Sequence, residues 1–138
     1  VRLILPEDVV CGESIDDSDP KGTFDINSVP KDMMGLDIGP KTLARYNSIL
    51  GESKTVVWNG PMGVFEKKGY EVGTREMGIH LVSCIANGTK VIVGGGDTAS
   101  ALEDFDLLEE MTHVSTGGGA SLELLSGNQL PALKVLEN

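Results

Sequence analysis

The sequence predicts an α/β fold in which helices cover both faces of a parallel sheet. The first observation is an alternation of short apolar runs with longer helical patterns, typical of chains that reach the next parallel strand through a helix. The second is that glycine-rich turns follow three of these apolar runs. Because ligands bind beyond the carboxyl ends of parallel strands, we expect these three turns at one edge of the sheet. The length of 138 residues fits a single domain.

The first 30 residues predict short, irregular elements. A buried strand is expected over residues 2–5, and residues 9–11 continue it or form a shorter strand. Residues 13–22 are acidic and rich in turn-forming residues, which indicates a surface loop. Loose alternation over residues 23–29 predicts a short edge strand.

From residue 40 onward, helical and strand patterns alternate regularly. The first helix is predicted to begin at Pro40, after Gly39, and to end at Gly51. Apolar residues at helical spacing predict the later helices. In order, the elements predicted after this helix are a strand over 55–58, a helix over 70–86, a strand over 91–93, a helix over 98–110, a short strand at Val114 and a helix over 120–125.

The charge and the cysteines restrict the partners and the compartment. The formal net charge of −10 at pH 7 argues against nucleic acid or an anionic membrane as a partner. It also repels a phosphate ligand at long range, so glycine amides, helix dipoles, a divalent cation and basic residues from elsewhere must supply the attraction. Cys11 and Cys84 are the two cysteines, and we expect free, buried thiols in a reducing compartment.

The beginning of the chain and its hydropathy give two further expectations. No apolar run is long enough to span a membrane, and no signal peptide is evident, which together with the free cysteines indicates a cytoplasmic protein. The chain opens on Val1 to Leu5, a strand-like run with no initiator methionine. We therefore expect a piece of a longer polypeptide.

Two glycine turns in the chain have nearly the same composition. Gly94–Gly96 follows the apolar run over 91–93, and Gly117–Gly119 follows His113–Thr116. Glycine lacks a Cβ, so its backbone can approach a ligand closely, and a helix that begins next adds the positive end of its dipole. The two turns therefore predict anion sites, for a ligand with several phosphates or for a phosphate that moves between them.

The first turn combines Gly95 and Gly96 with the carboxylate of Asp97 and the hydroxyl of Thr98. Mg²⁺ takes oxygen ligands, often just one or two carboxylates, and Asp97 suits that role beside a bound nucleotide. Alternatively, Asp97 or Thr98 caps the helix that follows, where such residues are favoured. The spacing leaves both interpretations open.

The other candidate residues have a structural alternative too. Ser115 and Thr116 precede the second glycine turn and hold a phosphoryl group in transit, or they belong to a tight strand–helix turn. Glu66 ends the run that begins at Trp58 and offers a carboxylate to ribose hydroxyls, or it is an ordinary exposed glutamate. Residues 33–40 offer a glycine-lined slot for a base, or core residues and a turn.

The histidines and two missing motifs narrow the chemistry. Neither His80 nor His113 has a serine or cysteine partner at the spacing of a known catalytic or metal-binding motif. This argues against a histidine-based hydrolase or a zinc site. The sequence lacks the P-loop signature and also lacks a Gly-x-Gly-x-x-Gly run after its first strand. The interpretation as a dinucleotide-dependent oxidoreductase is therefore disfavoured. An observation of NAD binding, without a preference for ADP and Mg²⁺, would support that interpretation.

Four segments closely resemble phosphoglycerate kinase in sequence, order and spacing. They are Gly35–Pro40, Val57–Glu66, Gly94–Ala99 and His113–Ser121. The resemblance covers essentially the whole chain and is weakest over residues 12–30. It implies a Rossmann-like fold, with residues 1–138 as the later part of the C-terminal, nucleotide-binding domain of a two-domain kinase. The substrate-binding N-terminal domain would lie outside the chain.

The resemblance also implies an activity. Phosphoglycerate kinase moves a phosphoryl group reversibly between 1,3-bisphosphoglycerate and ADP, giving 3-phosphoglycerate and ATP, in glycolysis. MgATP or MgADP would bind this domain, phosphoglycerate would bind the N-terminal domain, and the parent protein would be a monomer. Because that domain and the upstream lysines that reach the nucleotide phosphates are missing, we expect the chain alone to be inactive. A non-catalytic nucleotide-binding module is the competing interpretation.

Carried onto this sequence, the resemblance gives each candidate residue a role. Gly35 and Leu36 would line the adenine slot, Asn59 and Pro61 would lie along the nucleotide, and Glu66 would bind the ribose. Gly95, Gly96 and Thr98 would hold phosphates, and Asp97 would bind Mg²⁺. The transferred phosphoryl group would meet Gly95, Gly96, Ser115, Thr116, Gly117, Gly118 and Gly119 when the domains close.

Overall fold

The structure, a computed structural model, describes residues 2–16 and 19–115, in which three consecutive strands precede an alternation of helices and strands. Its strands are β1 (Asp8–Gly12), β2 (Gly22–Asp25), β3 (Met34–Ile38), β4 (Thr55–Asn59), β5 (Lys90–Gly94) and β6 (His113–Ser115). Its helices are α1 (Pro40–Gly51), α2 (Val72–Ala86) and α3 (Gly96–Asp104), followed by a 3-10 turn at Leu108–Glu110. Among these residues, no helix combines the length and apolar character that a membrane crossing needs.

Three strands form the predicted parallel sheet, in the order β4-β5-β6, which confirms the α/β fold class. α2 connects β4 to β5 and α3 leads from β5 towards β6, as parallel neighbours require. The register places Val56 beside Val91 and Trp58 beside Val93, so these four buried side chains share one face. The main core unites them with Ile38, Met77, Leu81, Leu102 and Met111.

A second sheet, which the sequence did not predict, is antiparallel and has the order β2-β1-β3. β1 and β2 are joined through the acidic loop predicted over residues 13–22, and a connection without a crossover can only join antiparallel neighbours. The pairing of β1 with β3 shifts in register between Val10 and Cys11. The edge strand expected over 23–29 is present as β2, but it ends at Asp25.

The strand expected over residues 2–5 is wrong. This segment is irregular, and Leu3 and Leu5 are 76% and 64% exposed. An apolar run becomes a strand only where a neighbour satisfies its backbone hydrogen bonds, and none of the described strands pairs with it.

The helix expected over 98–110 is also shorter than predicted, because α3 ends at Asp104. Asp106 adopts a left-handed φ of 59°, and the Leu107 N–H then donates back to the Leu102 carbonyl at 2.8 Å. Aspartate is one of the few residues that tolerate this backbone conformation, so it can end a helix without glycine. The helix predicted over 120–125 lies outside the described residues.

Two buried aspartates join the antiparallel sheet to the helices. Asp8 of β1 accepts hydrogen bonds from the Lys41 and Thr42 N–H groups, at 3.1 and 2.8 Å, and from the Thr42 hydroxyl at 2.6 Å. Asp37 of β3 accepts a hydrogen bond from the Gly73 N–H at 2.8 Å. These donors belong to the first turns of α1 and α2, whose own N-cap residues supply no side-chain acceptor. Each carboxylate therefore caps a helix from a neighbouring strand.

The cap on α1 depends on ionised Asp8. Burial raises the pKa of Asp8, but hydrogen bonds from Thr42 and Lys41 lower it, and the net pKa lies below its ordinary value. A carboxyl group whose pKa is lower in the folded chain than in the unfolded chain stabilises the folded state at pH values above the unfolded-state pKa of that group. This stability is lost as the pH falls through the folded-state pKa.

We expect Thr42→Val to lower the free energy of unfolding by about 2 kcal/mol. Buried Asp8 loses the hydroxyl donor, and the Glu7 and Asp8 N–H groups lose the acceptor that now lies 2.9 and 3.0 Å away. Urea denaturation followed by circular dichroism measures the change. The control is Ser48→Ala on the exposed face of α1, expected to change stability by less than about 0.5 kcal/mol. Equal losses in the two variants would contradict the capping role.

Candidate functional site

The ends of the three parallel strands lie side by side. The register pairs Asn59, at the end of β4, with Gly94 at the end of β5, and pairs Gly94 with Ser115 at the end of β6. The turns after β4 and β5 therefore leave the sheet at the same edge, as the sequence predicted for them. The third predicted turn, Gly117–Gly119, lies outside the described residues.

Gly95 begins the turn after β5 and is the N-cap of α3. Its φ of 91° and ψ of 142° lie in a region that glycine adopts far more readily than other residues. A Cβ at this position would also lie 2.8 Å from the side-chain oxygen of Asn59. Both its backbone conformation and its close approach to β4 therefore require glycine.

The structure also shows how Asp97 and Thr98 are used at the start of α3. The Thr98 side chain is fully buried, and its hydroxyl accepts a hydrogen bond from the Gly60 N–H at 2.6 Å. Asp97 is exposed in the first turn, beside Gly96, which is also exposed. Gly95 occupies the N-cap position, and no side chain among the described residues caps this helix, so the alternative that Asp97 or Thr98 serves as its cap is wrong. Within the described part of the chain, the N-terminal end of α3 is therefore open to an external anion.

Side chains and backbone from four elements hold the turn after β4, which we call the 59–66 loop (Asn59–Glu66). The Trp58 indole N–H donates to the Gly60 carbonyl at 2.7 Å. The Met62 N–H donates to the Thr74 hydroxyl at 3.0 Å, and the Val64 N–H to the Leu36 carbonyl at 2.8 Å. With the Thr98 bond, these contacts attach the loop to the starts of α2 and α3 and to β3.

The structure brings some of the predicted residues together and leaves others apart. Leu36 is buried in β3 and contacts the loop through its carbonyl, whereas its neighbour Gly35 is exposed. Pro61 is half-buried within the loop. Glu66 is exposed at the end of the loop, and no hydrogen bond or ion pair in the described part of the chain joins it to the other candidates. Thr116 lies outside the described residues, with the glycines that follow it.

The sequence alone did not identify Asp37 as part of the site. It is only 4% exposed, accepts hydrogen bonds from the Ile38 and Gly73 N–H groups at 2.8 Å each, and packs against Gly63 of the loop. Burial raises its pKa, the two N–H donors lower it, and the nearby Glu71 carboxylate raises it, to a net value of about 6. An aspartate at a strand end between apolar residues was the available signal, but its partner Gly73 lies 36 residues away in sequence.

We expect Gly95→Ala to destabilise the chain by at least about 1 kcal/mol more than Gly88→Ala. Both glycines have a positive φ, 91° and 102°, so both substitutions strain the backbone. A Cβ at Gly88 meets nothing within 4 Å, whereas one at Gly95 meets Asn59. Urea denaturation of both variants measures the difference, and equal losses would show that contact with Asn59 is not what requires glycine.

Lowering the pH from 7 to 5 should raise the free energy of unfolding by about 1 kcal/mol through Asp37. Its pKa is about 6 in the folded chain and 3.8 for an ordinary aspartate, so the folded chain binds more protons between these values. Stability from this group therefore falls as the pH rises through that window. In urea denaturation at pH 5, 6 and 7, the change should vanish in Asp37→Asn. The pH-dependent change in stability should persist in Asp8→Asn, because Asp8 stays ionised over this range. If the change also persists in Asp37→Asn, it arises from the titration of another group.

Comparison with known proteins identifies the family. The phosphoglycerate kinase family model matches residues 1–128. The chain is 46% identical to phosphoglycerate kinase of Chloroflexus aurantiacus and 47% identical to that of Corynebacterium jeikeium, each over 137 residues. These alignments cover 99% of the chain and 34% of each relative.

Solved structures agree with this result. The structure of phosphoglycerate kinase from Coxiella burnetii superposes with a TM-score of 0.77 at 41% identity, covering 97% of this chain and 33% of that one. The enzyme from Pyrococcus horikoshii OT3 gives a TM-score of 0.66 at 30% identity, covering 96% and 32%. This chain spans about a third of the length of the curated relatives it matches. On the family match and these relatives, the chain belongs to the phosphoglycerate kinase family.

Proposed function

We propose that residues 1–138 form the later part of the C-terminal, nucleotide-binding domain of a cytoplasmic, monomeric phosphoglycerate kinase. In its glycolytic reaction, a phosphoryl group moves reversibly between the acyl phosphate of 1,3-bisphosphoglycerate and ADP, giving 3-phosphoglycerate and ATP. The observation that carries the proposal is the meeting of Asn59, Gly95 and Thr98 at the sheet edge where parallel sheets bind nucleotides. Membership of the family supports the identity of the reaction.

In this proposal, the first turn of α3 binds the nucleotide phosphates. Gly95 and Gly96 have no side chains, so phosphate oxygens can reach the backbone there. The open end of α3 adds unpaired N–H donors and the positive end of its dipole. Thr98 holds the 59–66 loop in place through Gly60, and the loop in turn places Asn59 and Pro61 along the nucleotide.

Two other segments hold the nucleoside. Gly35 and Leu36 line the adenine slot, where the exposed Gly35 allows a flat base to approach the backbone. The exposed carboxylate of Glu66 accepts hydrogen bonds from the ribose hydroxyls. The hydrogen bond between Val64 and Leu36 keeps the two segments adjacent, as a nucleoside that contacts both requires.

Asp97 suits a Mg²⁺ ion that arrives with the nucleotide. In the described part of the chain, no group of three or more His, Cys, Asp or Glu residues could hold a metal on its own. One exposed carboxylate beside a phosphate-binding helix end is enough for Mg²⁺, which completes its shell with phosphate oxygens and water. When bound, Mg²⁺ neutralises negative charge on the nucleotide phosphates.

Phosphoryl transfer needs positioning and charge stabilisation more than a covalent side-chain catalyst. In this proposal, backbone N–H groups of Gly95 and Gly96 stabilise the charge of the transferred group, and residues Ser115 to Gly119 contribute to the same role. Ser115 ends β6 beside Gly94, on the correct edge of the sheet for this role. The residues that bind phosphoglycerate belong to a domain outside residues 1–138, so the chain alone does not turn over. A substantial rate from the purified chain with 3-phosphoglycerate and MgATP would refute this.

The first test is calorimetric titration of the chain with ADP, with and without Mg²⁺, and with NAD as the control ligand. We expect Mg²⁺-sensitive ADP binding and no binding of NAD. Asp97→Asn should weaken binding of MgADP about tenfold, because the cation loses its protein ligand, and should leave binding of free ADP within about twofold.

The matched control is Asp104→Asn, which removes an exposed carboxylate from the other end of α3. It changes the net charge equally and should leave the affinity for MgADP unchanged. If both variants weaken binding alike, the effect of Asp97 is general electrostatics and not metal ligation. If the chain is folded by circular dichroism and binds no ADP, the described turns do not suffice for a nucleotide site.

A further inference from the structure

Asp37 lies where β3, α2 and the 59–66 loop meet. Its two carboxylate oxygens accept hydrogen bonds from different elements, one from the Ile38 N–H within β3 and one from the Gly73 N–H in the first turn of α2. The side chain is 4% exposed, so few water molecules can replace these bonds. The carboxylate therefore fixes the start of α2 against β3.

These same two elements hold the 59–66 loop. The Val64 N–H donates to the carbonyl of Leu36, the residue before Asp37 in β3. The Met62 N–H donates to the hydroxyl of Thr74, the residue after Gly73 in α2. The segment from Met62 to Val64 thus bridges two elements that Asp37 joins, and a change in their separation must break one of the bonds.

Gly63, between these two bonded residues, packs directly on the carboxylate. A Cβ on Gly63 would lie 2.5 Å from the Asp37 Oδ1 atom and 2.6 Å from the Leu36 carbonyl oxygen. Gly73 approaches the same oxygen so closely that a Cβ there would overlap it. Two glycines from separate elements therefore make room for one buried carboxylate, which is more than a helix cap alone needs.

We propose that Asp37 is a positioning residue for nucleotide binding, which holds the Met62–Val64 segment of the 59–66 loop in place without touching the nucleotide. Its effect on the ligand rests on the proposed function, because Asn59, Pro61 and Glu66 lie in this same loop. Its effect on the loop does not depend on any ligand.

Asp8 provides the comparison that separates positioning from helix capping. Asp8 is also 4% exposed, lies in the antiparallel sheet and caps the first turn of a helix. Thr42 lies in the first turn of α1, as Thr74 lies in the first turn of α2. Among the described residues, however, the side-chain hydroxyl of Thr42 bonds to Glu7 and Asp8, and neither of them belongs to the 59–66 loop. A purely structural role predicts similar effects for the two aspartates, whereas positioning predicts an effect on the loop from Asp37 alone.

The test uses the full chain and two matched pairs of variants. Asp37→Asn is compared with Asp8→Asn, and Thr74→Val with Thr42→Val. Amide hydrogen exchange is followed by NMR at Met62 and Val64, with Val93 in the core strand β5 as the reporter of global opening. Thr74→Val removes the acceptor of the Met62 N–H and leaves Asp37 in place, so it provides a result even if Asp37→Asn does not fold.

Relative to Val93, exchange at Met62 and Val64 should be about tenfold faster in Asp37→Asn and in Thr74→Val. It should stay within about twofold of the parent chain in Asp8→Asn and Thr42→Val. Calorimetric Kd values for ADP should rise about tenfold in Asp37→Asn and Thr74→Val only. Unchanged exchange in these two variants, or equal acceleration in all four variants, overturns the positioning role. If the parent chain binds no ADP, the proposed nucleotide site fails, and the exchange rates alone decide the role of Asp37.

Discussion

Two buried carboxylates hold the antiparallel sheet against the helices, and the rest of the site depends on this attachment. Asp8 and Asp37 each supply the acceptor that the first turn of a helix lacks. Removing either would leave buried N–H groups without partners, which costs more than a hydrogen bond at the surface. Because α1 packs on α2, and α2 packs on β3 and β5, the two caps determine where the antiparallel sheet lies relative to the parallel one.

The two caps share a role but respond to pH in opposite directions. Asp8 accepts bonds from a hydroxyl and two N–H groups and lies near the Lys41 charge, so its pKa falls despite burial. Asp37 accepts two N–H bonds and faces Glu71, so burial dominates and its pKa rises to about 6. In the cap on α1, hydrogen bonds and the Lys41 charge together outweigh the effect of burial on the pKa of Asp8, whereas burial and Glu71 oppose ionisation of Asp37 in the cap beside the candidate nucleotide site.

In the proposed function, an acidic chain attracts a polyanion through dipoles in place of net charge. The described residues suit this, with a helix end that no described side chain caps, glycines at positions 95 and 96 and one exposed carboxylate suited to a cation. The local potential at such a helix end arises from partial charges a few ångströms away, so the net charge of −10 on the whole chain weakens it little. Composition alone is therefore a poor guide to the ligand of this fold.

Local patterns in the chain were enough to locate the elements that depend on sequence neighbours. Periodicity located α1 and α2, with the Gly39-Pro40 start marking the beginning of α1, and the short apolar runs located β4 and β5. Apart from the shared edge of the turns after β4 and β5, the contacts between elements became apparent only in the folded chain. Residues 2–5 form no strand because they lack a pairing partner, α3 ends early at the left-handed Asp106, and Asp37 joins residues 36 positions apart. Pairing and burial depend on distant residues, and no local pattern in the chain encodes them.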